Sequence, residues 1–147
     1  MKIDLAQYFP SLAPGMVPSL VETMVIAAGA DGELGSDERV ALASALEGLL
    51  RGSEHESMAT GAGLDALCAE AEAALARDGR ELRLAAVKAA LPDDKARTGA
   101  LALAIAVTAA DGIVRTSERE LLLELAGALD VSPDVAADLV ILATRGA

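Results

Sequence analysis

Apolar residues recur at helical spacing along most of the chain. Leu20, Val21, Met24, Val25 and Ala28 mark one face of a helix, with Pro18 suited to its first turn. Val40, Ala43, Leu46, Leu49 and Leu50 mark a second, opened by Gly35 or Ser36 as N-cap and closed near Arg51-Gly52. Residues 52–63 keep no period and read as loop with at most a short helical turn. Helical spacing resumes over 64–78 with Leu64, Leu67, Cys68, Ala71 and Leu75, and Asp78-Gly79 interrupts it. A shorter helix over 80–91 carries Leu82, Leu84, Ala85, Val87 and Leu91 and stops at Pro92. After the Pro92-Asp93-Asp94-Lys95 turn, the segment through Leu101, Ile105 and Ala109 is small and apolar on every side, which predicts a central helix. Leu121, Leu122, Leu125, Ala128 and Leu129 form the next stripe. Ser132 as N-cap and Pro133 in the first helical position open a last helix to about Thr144, with Val135, Leu139 and Leu142 facing inward.

The lead-in, 1–15, is broken by Pro10 and Pro14-Gly15, and its Leu5, Tyr8, Phe9 and Leu12 predict a small stripe that anchors on the bundle. Strict alternation of β-branched residues is absent. The pattern predicts an all-α bundle of about seven helices in a single domain over 1–147, with Ile105 and Leu125 in its core.

Composition sharpens this. The chain is 53% hydrophobic but only 1% aromatic, so alanine and aliphatic residues must build the core. The net charge of −11 argues against phosphate-backbone recognition and hence against nucleic acid as a partner. It suits a cation or a basic partner. The apolar runs 24–30 and 100–110 fall well short of the ~20 residues a bilayer span needs, so membrane insertion is not expected. The single cysteine, Cys68, fits a reducing compartment and a cytoplasmic protein.

One short stretch occurs twice. Ala30-Asp31-Gly32-Glu33-Leu34-Gly35-Ser36-Asp37-Glu38-Arg39 returns as Ala110-Asp111-Gly112-Ile113-Val114-Arg115-Thr116-Ser117-Glu118-Arg119, with Asp31 matched to Asp111 and Glu38 to Glu118 at one constant offset. Each copy follows an apolar helix pattern and opens an amphipathic one. The repeat suggests a pseudo-twofold arrangement of halves at about 18–51 and 93–131, with 52–92 inserted between them. Asp-Gly followed by a glutamate matches only the second half of a calcium loop. The oxygen-bearing positions of the first half would fall on Ala27 and Gly29, or on Val107 and Ala109, which excludes an EF-hand. A purely structural account is also available. Gly32 and Gly112 reverse the chain, Asp31 and Asp111 accept exposed amides, and Glu38 and Glu118 favour a helix start.

The doubled motif, together with Leu129-Asp130-Val131-Ser132-Pro133, resembles the TerB family of tellurite-resistance proteins over roughly residues 18–142. The resemblance implies an all-helical, cytoplasmic, non-enzymatic module acting in stress response beside other Ter or membrane-associated proteins, with a homo-oligomer left open. It also implies a divalent cation, calcium or magnesium, with Asp31, Glu38, Asp111 and Glu118 as candidate ligands. Gly35 and Arg115 depart from the Ser or Thr cap common in that family, and Ile113 thins the acidity of the second turn. Two other readings compete: a structural interaction domain whose acidic turns are only helix caps, and an enzyme with carboxylates paired across the turns. The enzyme reading lacks an accompanying histidine, lysine or aromatic platform. The lone histidine, His55, sits in a polar loop, and Cys68 lies on an apolar helix face; neither has a partner for catalysis.

Overall fold

The computed structural model describes residues 3–10, 15–28, 35–51, 53–54, 56–59, 61–109 and 114–144. Among them are seven α-helices and two short 3-10 helices, and no strand. The helices are α1 (Met16–Ala27), α2 (Ser36–Leu50), α3 (Gly61–Asp78), α4 (Arg80–Ala90), α5 (Asp94–Thr108), α6 (Thr116–Ala128) and α7 (Pro133–Thr144). The 3-10 helices, Leu5–Tyr8 and Glu56–Ala59, precede α1 and α3. No described helix is long and apolar enough to cross a membrane.

Two helices form the centre. α5 is buried nearly all round, as its composition predicts, with every residue from Gly99 through Ile105 inside. α1 is its equal: every residue from Ser19 through Ala27 is buried. The two pack against each other. α3 and α4 cover α1, α2 and α7 cover α5, and α6 touches both central helices. Leu64, Cys68, Leu84, Val87 and Leu91 join the common core, so 61–91 contributes to the same interior as the rest.

Local chemistry sets the ends. Asp93 caps α5 by accepting the Ala96 N–H at 2.8 Å, and Ser132 caps α7 by accepting the Val135 N–H at 3.2 Å. The Arg97 guanidinium donates to the carbonyls of Leu91 and Lys88, both at 3.1 Å, supplying partners at the end of α4. Gly79 turns the corner between α3 and α4 at φ +85°, a conformation in which a side chain is strained. α6 ends in a Schellman turn: the N–H of Val131 reaches the Ala126 carbonyl at 2.9 Å and that of Asp130 the Gly127 carbonyl at 3.2 Å. Asp130 accordingly takes φ +58°.

Several inward assignments made from periodicity do not hold. Val40 is 70% exposed; of the stripe on α2, Leu46 and Leu50 are buried as expected, and Leu42 joins them. Leu82 is 65% exposed, while Leu84, Val87 and Leu91 face the core. On α7 the buried residues are Ala136 and Leu139, and Val135 and Leu142 look outward. α3 also begins at Gly61, ahead of its first buried leucine, Leu64. The lead-in anchors as expected: Phe9 is buried and Tyr8 half-buried against the core. Leu12 lies outside the described residues.

Candidate functional site

Of the four acidic candidates, Asp31 and Asp111 lie outside the described residues, as do Gly32 and Gly112. Glu38 and Glu118 are described, and the same local contact holds each. Glu38 Oε1 accepts the Gly35 N–H at 3.0 Å, and Glu118 Oε1 accepts the Arg115 N–H at 2.9 Å. Each carboxylate thus serves its own helix start in the manner of half a capping box. The reciprocal half is missing, because Gly35 has no side chain and the Arg115 side chain offers no acceptor. The Arg115 guanidinium also lies 3.6 Å from Glu118 Oε1. The second oxygen of each glutamate has no hydrogen bond among the described residues.

Tertiary packing brings the flanks of the two motifs together. Ala27 and Ala28, at the end of α1, line one groove with Ser117, Glu118, Glu120, Leu121 and Glu124 of α6 and Arg80 of α4. The groove encloses about 450 Å³. Three carboxylates, Glu118, Glu120 and Glu124, face it against one guanidinium, and Arg80 is already paired with Glu124 at 2.8 Å. Glu38 is not among its lining residues. Glu38's neighbour Arg39 binds Asp65 at 2.7 Å and ties the start of α2 to α3.

A divalent ion needs several oxygens at once. Among the described residues no group of three or more His, Cys, Asp or Glu side chains is arranged to hold one. With one oxygen of Glu118 committed to its amide, the fit of a cation here turns on Asp31 and Asp111.

Nothing local in the sequence marks Arg80, which meets Glu124 only through the packing of α4 on α6. A second ionic cluster is equally hidden. Arg83 of α4 binds both oxygens of Glu22, a buried acid in the middle of α1, donating to Oε1 at 2.9 Å. Its third contact is Asp78 Oδ2 at 3.1 Å, and Arg77 pairs with Asp78 at 3.0 Å. Hydrogen bonds from Arg77 and then Arg83 hold the Asp78 carboxyl below the usual carboxylate range, and the bidentate Glu22 contact raises Arg83. The one signal in the sequence is a glutamate set in an apolar helix stripe; a buried acid requires a partner.

Cys68 is fully buried, and burial pushes its thiol pKa up, so it is a core residue without thiolate character. His55 lies outside the described residues. The Thr108 hydroxyl, buried near the end of α5, has no hydrogen-bond partner among the described residues, and nothing in the structure explains it. No protein-family model, curated protein or solved structure matches the chain.

Proposed function

We propose that the chain is a non-enzymatic, TerB-like module of a tellurite-resistance or stress-response system. In this reading it binds a divalent cation, calcium or magnesium, and partner proteins through its two acidic Asp-Gly turns. The observation that carries it is the shared groove: Ala27 and Ala28 lead into the Asp31 turn, and Ser117 and Glu118 follow the Asp111 turn. Segments from opposite ends of the chain therefore flank one surface, and that surface is rich in carboxylates. Asp31, Asp111 and Glu118 would hold the ion, with carbonyls and water completing the shell, and Glu38 would remain a helix-start residue. The pseudo-twofold relation between 18–51 and 93–131 belongs to the same reading. Its support is the pair of helix starts at Gly35 and Arg115, which occupy matching places in the repeat and are closed by the same glutamate contact.

The glutamate contacts also favour a second reading, in which the turns only cap helices and the module is an interaction domain without an ion. Melting curves of metal-stripped protein separate the two. On the ion reading, millimolar calcium, magnesium or manganese raises the melting temperature with concentration, as expected for an affinity of ~10⁻⁵–10⁻³ M. Asp31→Asn combined with Asp111→Asn then removes the ion dependence and raises the ion-free melting temperature by relieving repulsion. A melting temperature unmoved by all three ions, with simple destabilisation in the double variant, leaves the interaction domain.

A further inference from the structure

A second groove lies between α6 and α7, and its character is opposite. Leu122 and Leu123 of α6 and Val140 and Ile141 of α7 form its walls, and Ile105 of α5 contributes from the core. It encloses about 330 Å³, near the lower end of the ~300–1,000 Å³ usual for small-molecule sites. Leu123 and Ile141 are left 48% and 46% exposed, a cost in water that an apolar occupant would remove.

Among the described residues one charged side chain lines this groove, Arg119, and no carboxylate does. In a chain with 23 acidic against 12 basic residues, that combination departs from the surrounding surface. The Arg119 guanidinium has no ion pair or hydrogen bond among the described residues, whereas Arg39, Arg77, Arg80, Arg83 and Lys88 all bind carboxylates. A guanidinium presents a planar fork of donors that matches a carboxylate in two parallel hydrogen bonds. An Arg so placed beside an apolar trough has the polarity of a site for an anionic amphiphile.

We propose that the α6–α7 groove binds a medium-chain carboxylate amphiphile, its tail along Leu122, Leu123, Val140 and Ile141 and its carboxylate on Arg119. The volume suits a single chain of moderate length. A basic amphipathic peptide would meet Arg119 as a like charge. A second copy would bring together two chains of net charge −11.

The test is calorimetric titration with dodecanoate below its micellar range, beside dodecyltrimethylammonium, which has the same tail and the opposite head. Saturable one-to-one binding of dodecanoate is expected, with the cationic amphiphile much weaker. Arg119→Gln should weaken dodecanoate ~10–100-fold, the usual scale for a lost charge-assisted hydrogen bond. Arg119→Glu and Leu123→Asp should abolish it. Both positions are exposed, so an unchanged melting temperature verifies that each variant folds. The proposal falls if dodecanoate does not saturate, if the cationic amphiphile binds as tightly, or if Arg119→Gln leaves affinity unchanged. Sedimentation showing a dimer that Leu123→Asp splits would also overturn it, because the groove would then hold a second copy.

Discussion

At the scale of single residues, Gly99 explains how the lead-in is held. A Cβ placed there would stand 2.6 Å from both the Phe9 ring and the Tyr8 Cβ, so the aromatic anchor seats only on a helix surface without a side chain. Gly99→Ala should destabilise by ~1–3 kcal/mol through overpacking, although alanine is the better helix former. Gly127 on α6 has open space around its Cβ position, and there the same substitution should stabilise by ~0.4–1 kcal/mol. Urea midpoints that move in the same direction at both sites would show that Tyr8 and Phe9 do not press on α5. The anchoring role of the aromatics was legible, because two large apolar residues in a broken segment must be covered. The need for glycine opposite them was not, since Phe9 and Gly99 are remote in the chain and meet only in the fold. The Glu22–Arg83 pair was hidden for the same reason: its two ends lie 61 residues apart.

At the scale of elements, the seven α-helices lie where the periodicity places them apart from their ends, α3 starting at Gly61 inside the stretch read as loop, and the apolar central helix α5 is legible from composition alone. What blurred was the angle of the buried stripe. Alanine occurs on both core and solvent faces, as Ala136 and Ala137 show on α7, so it marks neither face. The remaining large residues then mislead near helix ends, where Val40 and Val135 sit beyond the reach of the core. Mid-helix positions are safer, and α6 makes the contrast measurable. Leu125 is fully buried, and Leu125→Ala should cost ~2–5 kcal/mol. Leu123, on the same helix and half exposed, should tolerate alanine within ~0.5 kcal/mol by chemical denaturation. Similar losses at both positions would contradict the orientation of α6. Of the candidate site, the helix-start glutamates were legible from spacing, but the groove beside Glu118 arises from the packing of α4, α1 and α6 and has no linear signature.

At the scale of the whole molecule, the Glu22–Arg83–Asp78–Arg77 cluster joins α1, α3 and α4 across the Gly79 corner and gives stability a defined acid dependence. Asp78 is depressed in the folded state by hydrogen bonds from Arg77 and Arg83, and Asp130 by its bond to Lys88. A depressed carboxylate stabilises fully above its unfolded pKa of ~3.9, and that contribution disappears as pH falls through the lower folded value. Asp78→Asn should therefore lower the urea midpoint at pH 7, and its deficit against the parent should shrink below about pH 4. A deficit that stays constant down to pH 2 would remove the ion pairs from the explanation. The pairing of α1 with α5 has a different outcome, one of timing. α1 leaves the ribosome with almost no polar face; α3, complete at Asp78, covers one side of it, and α5, its partner at the centre, is complete only once Thr108 has been added. At ~5–20 residues per second the nascent chain carries the α5-facing side of α1 uncovered for about 4–16 s.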